Sequence, residues 1–307
     1  MSGDEVWRVS RGDACYPAAL EDLDRRAPAV LSGCGHRDAL AGWDPDAAVT
    51  VVGARRASGY GIAVAEELSR LLGAAGLTVV SGMARGIDAA AHRGALAGGG
   101  LTIAVLGGGP DVVYPATERR LYRRIVDGGA AISEWPAGKK PAAGCFPARN
   151  RLMAAMSQVT VVVEAAERSG SLITAREAAG LGRTVGAVPG PVTSWLSAGT
   201  NHLLADGALV VRDGQDVLDA MLGVGATTVR GTGPGLEPEL REVLTAVEEG
   251  RSTCDAVAMA LKASAERAAV SLGRLELLGY VRADAAGRYV RTALIAPQDR
   301  ASEEEPT

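Results

Sequence analysis

Residues 49–61 read VTVVGARRASGYG, a β-branched run that stops at a glycine, turns through two arginines and opens into a helical pattern. The same grammar returns in LTVVSGMARGID at 77–88, LTIAVLGGGPDVVYP at 101–115 and VTVVVEAAERSGSLITA at 159–175. Short β-branched runs bounded by Gly, Ser and Pro are strands, and strands that alternate with helices build a parallel sheet covered on both faces. In such a sheet all these turns fall at the carboxyl edge. Their amides, helix dipoles and arginines therefore converge on one crevice suited to phosphate. The loops lack an ordered acid, base and nucleophile. The pattern predicts a binding surface, with no catalytic residue, no metal ligand set and no cofactor.

Strands are expected near 29–33, 49–53, 77–81, 101–106, 130–132, 159–163, 184–188 and 208–211, with helices such as GIAVAEELSRLLGAAG between them. This gives an α/β fold with a doubly wound, mostly parallel sheet over residues 49–222, and residues 1–48 lead into it. The stretch 223–235, GVGATTVRGTGPG, has linker composition. After it, residues 236–294 read as helices at 238–249, 253–261 and 264–278, then YVRAD, a turn at AAGR, and YVRTA. Three helices and a hairpin predict a small C-terminal winged-helix domain. It carries 8 basic against 9 acidic side chains, so its third helix either enters a DNA groove or serves protein contact or structure. The acidic tail 295–307 is expected to be disordered.

Only 4% of the 307 residues are aromatic and a single Phe is present, so the core must be Val, Leu, Ala and Ile. No apolar run reaches the roughly 18 residues of a membrane helix, and residues 1–10 have no signal-peptide character. A cytoplasmic protein without membrane contact is expected. The four cysteines are too scattered for a disulfide framework or a metal site. Net charge is −4, yet residues 49–220 hold 17 Lys and Arg against 14 Asp and Glu. A polyanion site would therefore be local, because the potential in the groove decides binding.

In the first turn, Arg55 and Arg56 stand where a dinucleotide-binding loop has glycines, which disfavours a nicotinamide-dependent oxidoreductase. Arg55 offers a planar cationic fork to phosphate, with Ser58 and the amides from Gly59 to Gly61 as further donors. In SGMARGID, Gly82 and Gly86 permit an anion nest and Ser81 a hydroxyl donor, while Asp88 caps a helix or fixes the loop. Arg85 either reaches the groove or pairs with an acid. Phe146 stands in a Pro/Gly stretch just before Arg149, Asn150 and Arg151. It either stacks an unpaired base beside phosphate-binding forks or plugs a gap under the loop. Lys139 and Lys140 extend the basic track or are simply solvated. Gly170, Ser171 and Thr174 form a helix N-terminus suited to an anion, near Glu164 at a strand end. Asn201 hydrogen-bonds a base or sugar, or holds two loops together.

The motifs VVGARRASGYG, SGMARGIDAAAH, LGGGPDVVYP, FPARNR, SGSLITA, AVPG and GTNHLLADGA, in that order and spacing, resemble the DprA/Smf family of DNA-processing proteins of bacterial transformation. The likeness covers about residues 16–220. It implies an extended Rossmann-like domain that binds and protects single-stranded DNA, helps load the RecA recombinase onto it, and forms a homodimer. By motif it assigns the DNA pocket to Arg55, the loop from Ser81 to Gly86, Gly107, Gly108, Phe146, Arg149 to Arg151 and the turn from Ser169 to Ser171. The small helical domain of sterile-alpha-motif type that begins many relatives is expected to be absent or vestigial here. The opposing class is a phosphoribohydrolase acting on nucleoside monophosphates. Its P-G-G-x-G-T-x-x-E loop is matched by EAAERSGSLITAREA only in a glycine, a threonine and Glu177.

Overall fold

The computed structural model describes residues 5–223, 235–283 and 288–291. Two compact units divide near residue 226. The first holds strands β1 (Trp7–Ser10), β2 (Val30–Gly35), β3 (Ala48–Val52), β4 (Thr78–Ser81), β5 (Thr102–Val105), β6 (Ala130–Ser133), β7 (Val159–Val162), β8 (Thr184–Ala187) and β9 (Leu209–Val210). Its helices are α1 (Gly59–Ala74), α2 (Ile87–Ala97), α3 (Arg119–Gly128), α4 (Cys145–Ala155), α5 (Ser171–Gly180), α6 (Ala198–Ala205) and α7 (Gly214–Leu222).

The sheet runs β1-β2-β6-β5-β4-β3-β7-β8-β9. Strands from β3 to β9 pair in parallel, and β2 is antiparallel to both β1 and β6. Alternation along each strand feeds two apolar layers. Val49 and Val51 of β3 face one layer with Ala65, Leu68 and Leu72 of α1 and Ala90 and Ala91 of α2. Ala48 and Val52 face the other, with Leu152 and Met153 of α4 and Leu172 and Ala175 of α5. Each Val, Leu or Met among them, fully covered, contributes about 1.5–3 kcal/mol. The chain winds outward in one direction from β3 to β6 and in the other from β7 to β9. The gap between the loops after β3 and β7 is thus the topological switch point, the place where such sheets hold ligands.

Residues before 49 do more than lead into the sheet: they supply the two strands at one of its edges. The short β1 has only four residues, and its Trp7 lies across Gly33 and donates from Nε1 to the Gly35 carbonyl at 2.9 Å. A 3-10 segment, Ala18–Arg26, buries Leu20 and Leu23 in the same layer as α4. Among the described residues no helix is long and apolar enough to cross a membrane.

In the second unit, α8 (Pro238–Glu248), α9 (Cys254–Leu261) and α10 (Ala265–Leu277) enclose Leu240, Val243, Leu244, Val257, Leu272, Leu275 and Tyr280. Two antiparallel strands follow, β10 (Val281–Ala283) and β11 (Tyr289–Arg291). The helices begin where Thr253 and Ser264 cap them by accepting from Ala256 N and Arg267 N. Most of the expected linker, the hairpin turn and the acidic tail lie outside the described residues.

Candidate nucleic-acid interface

A trough of about 620 Å³ opens at the switch point. Its walls are the loop after β3 with Arg55 and Arg56, the first turn of α4 with Phe146, the loop after β7 from Arg168 into α5, and Trp195 with Leu196. A smaller cleft shares Arg55, Phe146 and Arg149 with it and adds Gly82, Arg85, Gly107, Gly108 and Tyr114. The structure therefore brings five loop clusters of the sequence to one sheet edge.

At the rim, the Arg55 guanidinium lies 4.9 Å above the Phe146 ring centre, and Tyr114 leans on that ring at 5.5 Å and 41°. A cation over an aromatic face is attracted by the ring quadrupole, which pre-orients both groups. Phe146 does not sit in a loop, as its Pro/Gly surroundings predict. It is the second residue of α4, and Pro147 is tolerated there because first-turn amides have no helical acceptor. Arg55, Arg56, Arg85 and Arg168 are exposed, and among the described residues none forms an ion pair. Four guanidinium groups thus remain available at the opening.

Beneath the rim lies a different layer. Arg149 is 4% exposed, and it is not the free fork that its motif suggests. Its Nη1 donates to the carbonyls of Gly82 and Val105, its Nε to Asn150 Oδ1 at 3.1 Å, and its Nη2 to Asp88 Oδ2 at 3.4 Å. This one side chain ties the ends of β4 and β5 to α4. Gly82 is required because a Cβ would collide with that guanidinium, and Gly86, at φ +80°, because a Cβ would strike the Ala54 carbonyl. Asp88 fixes the loop by accepting from Ala84 N at 3.4 Å. Burial pushes its carboxyl above the ordinary value despite Arg149, and burial likewise lowers Arg149 despite Asp88. Both directions mean that desolvation outweighs this long ion pair. His92 below is fully buried, and burial followed by the Arg149 charge pulls its imidazole down to about 3. Thr102 Oγ1 donates to the Val79 carbonyl, so His92 Nδ1 is the donor to that oxygen at 2.7 Å.

The third wall is the N-terminus of α5. Gly170 is exposed, Ser169 and Ser171 share a 2.7 Å hydroxyl contact, and Asn150 Nδ2 braces the turn through the Gly170 carbonyl at 3.1 Å. Thr174 is 1% exposed and lines the trough, and its Oγ1 has no hydrogen-bond partner. A buried hydroxyl left unpaired costs about 1–3 kcal/mol. That oxygen is closed to solvent, so what the trough offers a ligand is the exposed turn at Gly170, where the α5 dipole favours an anion.

Several expected ligands are committed elsewhere. Ser58 caps α1 by accepting from Gly61 N, and it gives its hydroxyl to Glu164 at 2.5 Å and its amide at 2.8 Å; Gly59 begins α1 beside it, and neither lines the trough. Ser81 is fully buried and donates to the Val51 carbonyl at 2.6 Å. Arg151 makes a bidentate pair with Glu134 at 2.7 and 2.9 Å, because the α4 twist carries it away from Arg149. The Lys139 ammonium covers the Trp135 ring at 5.5 Å, and Lys140 is exposed outside both cavities. Asn201 clamps Gly190 through its carbonyl and amide, at 3.1 and 3.3 Å, and so holds two loops together. Conversely, Arg56, Arg168, Tyr114 and Trp195 belong to the two cavities and were not singled out from sequence as ligands.

Among the described residues no hydroxyl or thiol in the trough is hydrogen-bonded to a general base. Glu177, the acid that a phosphoribohydrolase reading would need, is paired with Arg26 at 2.9 and 3.0 Å and does not line the trough. Among the described residues no group of His, Cys, Asp and Glu is arranged to hold a metal ion.

Comparison with known proteins places this geometry in company. Residues 7–222 match the family model described as DNA recombination-mediator protein A. A relative from Mycobacterium tuberculosis is 44% identical over 218 residues, which are 69% of this chain and 56% of the relative. The chain thus spans little more than half of that protein. The X-ray structure of DNA processing protein A from Streptococcus pneumoniae superposes with a TM-score of 0.65 at 42% identity, over 70% of this chain and 74% of that one. DNA processing protein A from Helicobacter pylori, described for a unique single-stranded DNA binding mode, superposes at 0.63 and 29% identity, over 71% of this chain and 96% of that one.

Proposed function

The chain belongs to the DNA recombination-mediator protein A family, and from that premise we propose that its trough binds single-stranded DNA. The observation that carries this reading is the meeting of unpaired arginines, the α5 N-terminus and the Phe146–Tyr114 ring pair in two adjoining cavities. Phosphates suit Arg55, Arg56, Arg168 and the amides at Ser169 to Ser171. An unstacked base suits the rings, and duplex DNA hides the base faces that such rings need. The absence of an activated nucleophile fits a protein that holds and hands over DNA rather than cutting it.

In this account the bound strand is protected and passed to the RecA recombinase during transformation or recombination, and a homodimer doubles the track. The second unit serves as a winged helix for protein contact or structure. Supporting that role, α10 engages its own unit: Arg267 pairs with Glu239 and Arg274 with Glu237, each at 3.0 Å. Fluorescence anisotropy with a labelled oligothymidylate, and with the same length of duplex as competitor, tests the proposal. Single strands are expected to bind and duplex to compete poorly. Equal competition, or release of free base from nucleoside monophosphates, would overturn it.

A further inference from the structure

Phe146 has company on its faces, with Arg55 above and Tyr114 alongside. Trp195 has none. It is 67% exposed, it lines the main trough but not the adjoining cleft, and among the described residues no ring or cation covers it. A large amphipathic ring left in water forgoes the burial that aromatic side chains otherwise supply.

The segment that carries Trp195 is held at both ends. Asn201 clamps Gly190 before it, and Ser197 after it is 2% exposed, with its carbonyl accepting from Asn201 N and Thr200 Oγ1. Two consecutive turns, Ser194 N to Pro191 O and Ser197 N to Ser194 O, shape the intervening chain. The ring is therefore presented on a braced loop, so little ordering cost remains when a ligand arrives. The two aromatic features also differ in their surroundings. Phe146 sits where trough and cleft join, Trp195 borders the trough alone, and Arg168 with the α5 N-terminus lies on the trough wall.

Resting on the single-strand reading above, we infer that Trp195 is a second base-stacking platform. It takes a nucleobase of the same strand beyond the one on Phe146, with the intervening phosphate at Arg168 and the α5 N-terminus. The ligand of this subsite is an unpaired nucleotide within a chain, and the indole Nε1, without a partner among the described residues, can donate to its oxygens.

Tryptophan emission during titration with an oligothymidylate of about twelve residues tests this. The other tryptophans, Trp7, Trp43 and Trp135, are each half-buried. Emission is expected to fall on binding, and most of that change should vanish in Trp195→Phe. Trp195→Ala should weaken binding by about 5- to 150-fold, the range for losing one stacked base, and Trp195→Phe should recover most of it. On a wholly abasic strand of equal length, wild type and Trp195→Ala should bind alike. The inference fails if Trp195→Ala binds the oligothymidylate as wild type does, or if its defect persists on the abasic strand. If Arg55→Glu abolishes binding while Trp195→Ala leaves it intact, this subsite alone is refuted. If wild type binds no single strand, the underlying function and the subsite fall together.

Discussion

Arg55 and Arg149 come from two motifs that look alike in sequence, yet they occupy two regions with opposite physics. Arg55 stands exposed at the rim over a ring, with no acidic partner among the described residues. Arg149 is buried beneath it and ties two strand ends to α4. A guanidinium in water can meet a phosphate at little desolvation cost, whereas one fully enclosed is already satisfied by carbonyls and cannot swing out. The rim binds, and the layer below holds the rim in shape.

The largest expected effect falls on the lower layer. Arg149→Met leaves Asp88 and the Gly82 and Val105 carbonyls buried without their partner, and such losses cost about 3–5 kcal/mol. Urea or thermal melts should show it, and an unchanged melt would mean that the layer is not structural. At the rim, Arg55→Glu should leave the melt unchanged and weaken oligonucleotide binding by about 10- to 150-fold, the worth of a charged hydrogen bond. Equal effects of the two variants on stability would erase the contrast between the regions.

Acid separates the layers further. The folded protein keeps His92 neutral down to about pH 3, while the unfolded chain protonates it near 6.5. Between those values the unfolded state binds the extra proton, so stability contributed by this site is full above pH 6.5 and is lost as pH falls. The slope approaches about 1.4 kcal/mol per pH unit. Asp88, raised by burial, acts in the opposite sense above its ordinary range. Comparing melts of wild type and His92→Gln across pH isolates the histidine, and identical profiles would contradict its burial in neutral form. The smallest effect is at Thr174. Thr174→Val removes a buried hydroxyl that has no partner among the described residues, so stability in melts should hold or rise slightly while binding is unchanged. A lower melting temperature would contradict its lack of a partner.

Much of this was legible in the chain. The eight expected strands all appear, most of them β-branched runs closed by Gly or Ser, and the three later helices start within a residue of expectation. The strand at Trp7 was not legible, since four residues with one buried apolar member carry too little periodicity. The burial of Arg149 was readable in principle. Once α4 begins at Cys145, positions 145, 149, 152, 153 and 156 form one helical stripe, otherwise apolar, and Arg149 falls on it. Reading Pro147 as a loop residue rather than a first-turn one concealed that stripe. Trp195 carried the same signal as Phe146, a large ring in a Pro/Gly stretch. The commitments of Ser58, Ser81 and Arg151 depend on partners 106, 30 and 17 residues away, and no local pattern reveals those.

The most direct test is the structure of the protein bound to a short oligothymidylate. Phosphates should lie at Arg55 and the amides of Ser169 to Ser171, with a base against Phe146 and Arg149 unmoved below. A strand lying away from the β3–β7 switch point, or an Arg149 that leaves its carbonyls to grip a phosphate, would contradict the division between binding rim and supporting layer.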